Sequence, residues 1–292
     1  MKRVAKWFGI GVASILALIV IAGSGFYARG RMVAGAELEQ TGTPIAAVSL
    51  DDAALIARGE HFGQHIAQCT GCHAPDMAGD TFIDDGAFGV LPAPNLTSGR
   101  GGVGASYDDA ALERAIRHGV AADGRPLFMM PSHMYQHMSD ADLAALIAWL
   151  RTRPAVDREH AERKIGPVLG LLTGAGVIKA APDMIDHEAV GGAAPPAGPT
   201  VEYGEYVVNM ASCRDCHGPN LDGVREGPGP PAAPSLMSGA ATWSLEQFRH
   251  AIREGKRPDG SNIDPTHMPW PGYAGMTDAE LEAIWQYLTT RA

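Results

Sequence analysis

The chain has 292 residues, of which 46% are hydrophobic and 19% are charged, and its formal net charge is -10. This length predicts two compact domains with connecting segments, and the composition is that of a folded protein. The acidic balance argues against nucleic acid as a partner, because nucleic-acid binding needs a basic patch or stripe. The four cysteines form two close pairs and leave none for a structural disulfide, so they do not by themselves indicate an oxidising compartment.

The N-terminal region predicts a membrane segment. An uncharged stretch from Trp7 to Ala28 follows three basic residues and precedes Arg29 and Arg31. As a helix it would be about 33 Å long, enough to cross a hydrocarbon core of about 30 Å. We therefore expect residues 1–30 to be a single-pass signal anchor in the inner membrane, with the rest of the chain on the periplasmic side. A cleaved secretory signal is the alternative, and it would deliver the chain to the same side.

The rest of the chain contains one unit twice, about 140 residues apart. Cys69-Thr70-Gly71-Cys72-His73 recurs as Cys213-Arg214-Asp215-Cys216-His217. Further matched steps keep the same order in both copies: Gly59-Glu60 with Gly204-Glu205, 115–119 with 251–255, Asp123-Gly124 with Asp259-Gly260, and Met130-Pro131 with Met268-Pro269. The repeat predicts domains at 53–153 and 201–292, joined to the anchor and to each other by linkers at 31–52 and 154–200.

Helical patterns dominate both copies. Ser139 and Thr277 are predicted N-caps of a closing helix, which carries an i, i+3, i+4, i+7 apolar stripe in each copy. Further helices are expected at about 52–68, 108–118, 203–212 and 244–254, and little alternates with the period of a strand. The sequence therefore predicts an all-α fold of small helices and long ordered loops around a buried cofactor, since so small a core needs the added apolar contact.

Within the second linker, residues 165–181 are mostly apolar and rich in glycine. We consider two interpretations of this segment. It lies on the membrane surface, or it packs across the two domains. Residues 191–199 are typical of a flexible or extended linker.

The cysteine pairs carry the main chemical signal. Cys-x-x-Cys-His is the attachment signature of c-type heme, because two thiols one helical turn apart can reach both vinyl groups of one porphyrin. The next residue, a histidine, is then placed under the ring. A thiol redox pair needs no histidine, and a four-cysteine zinc site needs its pairs about 15–20 residues apart. The motif predicts two covalently bound heme c groups, with their irons coordinated by His73 and His217 and their thioethers formed by Cys69, Cys72, Cys213 and Cys216.

Met130 and Met268 are the candidate sixth iron ligands. Each precedes a proline at the same place in the repeat and lies far enough after the histidine to return from the other face of the ring. Methionine opposite histidine raises the reduction potential and leaves no open iron position. In the first copy, Met129 is adjacent and Met134 is close by.

Other polar residues near these positions are expected to be structural. A histidine as sixth ligand is disfavoured, because only one copy has a histidine at the positions of His133, His137 and His267. Arg117 and Arg253 occupy matched helix positions. We expect a solvated helix face there, with pairing to heme propionates as the alternative.

The sequence resembles the class I cytochrome c domains of cytochrome subunits of membrane-bound bacterial dehydrogenases, such as those of alcohol and gluconate oxidation. Besides the motifs above, the resemblance rests on Arg58-Gly59-Glu60, Pro94-Asn95-Leu96-Thr97, Asp123-Gly124-Arg125 and Met138-Ser139-Asp140. It is close over residues 53–153 and looser over 201–292. It implies that the histidine and the methionine of the Met-Pro step are axial ligands, and that heme is attached in the periplasm. Those subunits usually have three such domains, whereas this chain has two.

The sequence thus predicts an electron carrier bound to a membrane rather than an enzyme. Its expected partners are redox proteins: a dehydrogenase or quinol-oxidising complex as donor, and a downstream acceptor such as a terminal oxidase. A cytochrome subunit of a heme-copper oxidase is the alternative. A di-heme peroxidase would need one open or displaceable iron position, which the matched methionines disfavour. A heme-based sensor would need a signalling domain, and none is visible.

Overall fold

The computed structural model describes residues 2–39, 42, 45, 48–225 and 232–292. These residues are mostly helical, which confirms the all-α class. The helices are α1 (Lys2–Ala34), α2 (Ala53–His61), α3 (Cys69–His73), α4 (Asp109–Glu113), α5 (Ser132–Tyr135), α6 (Asp140–Arg151), α7 (Pro167–Gly174), α8 (Val201–Met210), α9 (Cys213–His217), α10 (Leu236–Thr242), α11 (Leu245–Glu254), α12 (Trp270–Tyr273) and α13 (Asp278–Thr289). Phe62–Ile66 and Arg114–His118 extend α2 and α4 as π-helical turns, and Ala181–Met184 is a 3-10 turn.

Each heme-motif domain is built on a crossing of its first and last long helices. In the first domain α2 crosses α6, and in the second α8 crosses α13. A glycine lies at each crossing: a Cβ on Gly59 would overlap the carbonyl of Ala145, and a Cβ on Gly204 would overlap the carbonyl of Ala283. The matched glycines of the repeat therefore allow the two helix backbones to touch.

The predicted caps begin the expected helices. Ser139 accepts a hydrogen bond from the Asp142 amide, and Thr277 forms a complete capping box with Glu280. The apolar stripes of α6 and α13 are buried, including Leu143 and Leu281 at 0% exposure. The cores of both domains join in one hydrophobic cluster.

A small sheet in the first domain was not predicted. Strands β1 (Asp80–Asp85), β2 (Gly89–Ala93) and β3 (Lys164–Ile165) pair antiparallel in the order β1-β2-β3. The first strand is polar and exposed, the second contains Pro92, and the third has only two residues. Their pairing depends on tertiary contact more than on local pattern.

Helix α1 has the length and composition to cross a membrane. Its apolar residues are exposed, for example Trp7 at 71% and Ile21 at 67%. In the part of the chain that the structure describes, α7 packs on the C-terminal end of α1 and on the turn between β1 and β2. Both contacts lie outside the second domain and do not support the interpretation that this segment packs across the two domains.

Candidate functional site

The two cysteine pairs lie on short helices, as their spacing requires. In both copies the residue before the first cysteine has a left-handed backbone: φ is 48° at Gln68 and 53° at Ser212. The left-handed conformation recurs four residues after each histidine, at Met77 (φ 57°) and Leu221 (φ 61°). Such conformations cost energy at residues other than glycine and persist only where the surrounding structure holds them. The two copies therefore share the backbone conformation around the motif as well as its amino-acid sequence.

The two motif histidines have the same hydrogen bond. His73 Nδ1 lies 2.9 Å from the Pro94 carbonyl oxygen, and His217 Nδ1 lies 2.9 Å from that of Pro234. A carbonyl can only accept, so Nδ1 carries the proton and Nε2 keeps its lone pair in both rings. Burial lowers the pKa of both imidazoles, and the carbonyl contacts oppose this only in part. Both rings are thus held in the neutral tautomer that can coordinate iron through Nε2.

In the first copy, the loop that supplies the Pro94 carbonyl is fixed by Asn95. This side chain is fully buried. Its oxygen accepts from the amide and hydroxyl of Thr97, and its amide nitrogen donates to the Val156 carbonyl at 2.8 Å. The loop is further held by Leu96 N, which donates to the carbonyl of Met77. In the second copy the equivalent backbone bond is donated by Leu236 N to the carbonyl of Leu221. The asparagine is replaced there by Ser235, which caps α10.

The cysteines do not have the properties of a redox pair. Burial raises the pKa of Cys69 and of Cys213 to about 12. A reactive thiol pair needs the opposite shift, since the thiolate is the nucleophile. Thioether attachment makes no such demand. The environment therefore favours heme attachment over thiol–disulfide chemistry.

The two candidate methionines precede short helices at matched places. Met130 is half-buried against the hydrophobic core, whereas its neighbour Met129 is 46% exposed. Met134 is buried within the core. In the second copy Met268 is half-buried and donates its amide to the Asp264 carbonyl at 3.0 Å. Iron ligation by Met130 and Met268 stays a prediction.

Sequence reasoning missed a tyrosine that ties each Met-Pro turn to its cysteine helix. Tyr135 donates to the Ala67 carbonyl at 2.7 Å, and Tyr273 donates to the Ala211 carbonyl at 2.8 Å. Both carbonyls belong to the residue two places before the first cysteine. The repeat could have revealed this pair of tyrosines, because each one follows its candidate methionine by five residues.

The expectation of a solvated helix face at the matched arginines is wrong for Arg117, which is fully buried. Its guanidinium donates to the Met138 carbonyl at 2.5 Å and to Asp140 at 2.7 Å. The equivalent contacts in the second copy are made by Arg253, with the Met276 carbonyl (3.1 Å) and Asp278 (2.8 Å). These arginines hold the start of the closing helix, and this is the role that the structure gives them.

Comparison with known proteins agrees with this geometry. The cytochrome c family model matches residues 57–154 and 201–292, more than half of the chain. The chain belongs to the cytochrome c family. Its two cytochrome c domains imply heme c binding and electron transfer, and the paired neutral histidines fit that group.

The relatives of this cytochrome are mostly named as subunits of dehydrogenases. It is 26% identical to a fructose dehydrogenase cytochrome subunit of Gluconobacter japonicus, over 80% of this chain and 52% of the relative. It is 27% identical to a diheme cytochrome c-type protein of Cereibacter sphaeroides (65% and 70% covered) and 28% identical to a gluconate 2-dehydrogenase cytochrome c subunit of Pantoea cypripedii (72% and 50%). The chain thus spans about half the length of the two dehydrogenase subunits. The names of these two relatives describe cytochrome subunits of dehydrogenases.

The two domains of the cytochrome meet through their cofactor-binding ends. His133, three residues after Met130, lies 2.8 Å from Asp215, which stands between the cysteines of the second motif. In the reverse direction Gln68, next to Cys69, reaches the Pro269 carbonyl at 3.5 Å. Each attachment helix thus contacts the other domain's Met-Pro turn, so the two candidate heme sites are neighbours.

The same interface has an approximate two-fold relation. His61 and Tyr206 are matched residues, each two places after the crossing glycine. His61 Nε2 lies 2.9 Å from Glu280, and Tyr206 donates to Asp142 at 2.5 Å. Glu280 and Asp142 are themselves matched, at the third position of α13 and α6. Each domain therefore holds the first turn of the other's closing helix.

Proposed function

We propose that this protein is a membrane-anchored diheme cytochrome c that passes electrons between its two domains and onward to a partner. In this proposal Cys69 and Cys72 attach one heme, and Cys213 and Cys216 attach the other. The neutral imidazoles of His73 and His217 each bind one iron, with Met130 and Met268 opposite them. Heme iron supplies one-electron chemistry, and a saturated iron leaves no position for a substrate.

The observation that carries this proposal is the crossed contact between each attachment helix and the other domain's Met-Pro turn. The two domains touch directly next to both candidate heme sites, through His133 with Asp215 and through Gln68 with the Pro269 carbonyl. A carrier that passes electrons between its two domains needs its two heme sites close together.

We propose a membrane-bound dehydrogenase as the electron donor, on the inner membrane and with the heme domains in the periplasm. Three kinds of relative support this choice, since their names place them in fructose, alcohol and gluconate dehydrogenases. Helix α1, with its exposed apolar surface, supports the anchor. The acceptor would be a downstream component of the same membrane, such as a terminal oxidase.

The first experiment counts the hemes. Acid-acetone extraction of the purified protein should leave all heme on the chain, and a pyridine hemochrome assay should give two c-type hemes per chain. Cys69→Ala and Cys213→Ala should each leave about one covalent heme. Extractable heme, or one heme in the unchanged protein, would contradict the diheme proposal.

The second experiment tests the donor. Membranes carrying the native protein are supplied with fructose, ethanol or gluconate, and the reduced cytochrome c band is recorded against membranes that lack this chain. We expect one substrate to give fast heme reduction that the deletion abolishes, and the matching dehydrogenase to copurify. No reduction by any dehydrogenase substrate, together with rapid reduction by added quinol, would replace the dehydrogenase with a quinol-oxidising complex.

A further inference from the structure

Helices α1 and α7 touch through glycines at the end of α1 nearest the heme domains. A Cβ on Gly30 would overlap the carbonyl of Gly170, and a Cβ on Gly174 would overlap the carbonyl of Phe26. Gly170 and Gly174 are spaced i, i+4, the small-residue pattern that lets helix backbones approach closely within membranes. This contact is therefore of the type that forms between two helices in a bilayer.

The order of the contacts gives the direction of α7. The carbonyl of Ile165 accepts from Arg31, Gly170 packs on Gly30, and Gly174 packs on Phe26. Successive positions on α7 thus meet earlier positions on α1. The helix runs back along α1, and its last turn reaches the level of the apolar run.

The surface at that last turn is apolar. Val177 is 70% exposed and Leu171 is 37% exposed, beside Phe26 at 44% and Tyr27 at 37% on α1. No charged residue occurs between Lys164 and Lys179. Exposing such an apolar patch to water is unfavourable, and contact with lipid would remove this cost.

Two of the nearby arginines are bonded to helix ends. Arg29 donates to the Gly174 carbonyl at 2.8 Å, which places a positive charge at the negative end of α7. Arg163 donates to the Ala34 carbonyl, at the end of α1. The C-terminal end of each of the two helices therefore has an arginine partner.

We propose that the last turn of α7 and the residues up to Ile178 insert beside α1 into the leaflet on the side of the heme domains. The occupant of the apolar face is the acyl-chain region of the bilayer. The first heme domain then sits on the membrane surface instead of moving on a free tether. This inference rests on the proposed anchoring by α1 and adds a second membrane contact to it.

This membrane contact connects directly to the first heme site. Strand β3 leads into α7 and pairs with β2, where Ile165 stands opposite Gly89. Strand β2 ends at Ala93, and the next residue supplies the carbonyl that orients His73. The first domain is thereby placed nearest to a membrane-embedded partner, with a fixed orientation.

The test uses the full-length holoprotein in phosphatidylcholine vesicles that contain a phospholipid with a diazirine in its acyl chain. After illumination, peptide mass spectrometry locates the lipid adducts. We expect adducts in the apolar run of α1 and in residues 171–178, and none near Leu50, which is 51% exposed but precedes α2. Adducts in α1 alone would overturn the inference and leave the anchor intact, while no adducts in α1 would overturn both.

A matched pair of variants tests the role of the helix contact. Gly30→Leu should reduce adducts in residues 171–178 at least fivefold and leave those in α1. Gly25→Leu, on the same helix, adds its side chain to open space and should change neither. Heme content reports folding in both variants. If residues 171–178 of a folded Gly30→Leu protein form as many lipid adducts as in the unchanged protein, the insertion does not depend on the contact with α1. This result would contradict the proposal.

Discussion

His61 in the first domain and Glu280 in the second form an ion pair across the domain interface, with 2.9 Å between Nε2 and Oε1. Glu280 is at the same time the capping-box residue of α13, where it accepts from the Thr277 amide at 2.7 Å. One carboxylate therefore serves both the start of a helix and the docking of two domains. Protonation of either partner or loss of either side chain should affect both.

The first prediction follows from the pKa shifts of this pair. The hydrogen bond to Glu280 raises the pKa of His61 above 6.5, against burial. Burial raises the pKa of Glu280, but hydrogen bonds from His61 and Thr277 outweigh it and leave that pKa below 4.5. The histidine contribution is complete below pH 6.5 and is lost as pH rises through its raised pKa. The glutamate contribution is present above pH 4.5 and is lost as pH falls through its lowered pKa.

We therefore expect the free energy of unfolding to be highest in the weakly acidic range, measured by urea titration at several pH values. Glu280→Gln should lower it there by about 1–2 kcal/mol and flatten its fall toward alkaline pH. His250→Gln removes an exposed pair with Glu254 (3.1 Å) and should change little. An alkaline fall that persists in Glu280→Gln would show that another group is responsible.

The second prediction concerns the sixth iron ligands. Met130→Ala and Met268→Ala should each remove about half of the weak sulfur-to-iron band at the red edge of the visible spectrum. Each should also open one iron to carbon monoxide and lower the potential of that heme, because a thioether ligand raises it. Both effects are read from spectra and a redox titration of the purified holoprotein.

Met129→Ala is the matched control, since Met129 is adjacent to Met130 but 46% exposed. It should leave the band and the carbon monoxide response unchanged. If it instead reproduces the effect of Met130→Ala, the ligand of the first heme is Met129. Rapid carbon monoxide binding or strong peroxidase activity in the unchanged protein would favour a di-heme peroxidase.

The third prediction concerns the helix crossings. Gly59→Ala places a methyl group against the Ala145 carbonyl, so α2 and α6 must separate. We expect a loss of about 1–3 kcal/mol in the free energy of unfolding, as for other overpacked cores. Gly239→Ala in α10, where an added Cβ meets open space, should be neutral or stabilise by about 0.5–1 kcal/mol. Equal effects of the two changes in a denaturant titration would contradict the close crossing.

The fourth prediction separates the two heme sites. Asn95→Ala removes the buried side chain that fixes the loop behind His73, so the first heme should show a broadened or shifted electron paramagnetic resonance signal. The fold should lose roughly 1–3 kcal/mol per buried group left unpaired. Ser235→Ala at the matched position of the second copy removes only a helix cap and should cost about 1 kcal/mol. A change in both heme signals on Asn95→Ala would mean that the loop does not act locally.

The sequence by itself determined the features that depend only on residues close together in the chain. The Cys-x-x-Cys-His motifs, the caps at Ser139 and Thr277 and the apolar stripes of α6 and α13 depend on neighbours within a few residues, and all are where they were predicted. The repeat added a second independent copy of each signal. For this reason the all-α class and the cytochrome c family could be predicted without coordinates.

Only the tertiary structure decided what depends on contacts between distant segments. The bond from His73 to Pro94 could not be seen, because it joins a side chain to a backbone carbonyl, which has no residue signature. The sheet escaped prediction because β3 comes from the linker, about 75 residues after β2. Arg117 was expected on a solvated helix face, and only the tertiary structure shows that its side chain is buried and donates to the Met138 carbonyl and to Asp140. The pairing of His61 with Glu280 could not be predicted either. The two residues come from different domains, and only the relative placement of the domains brings them into contact.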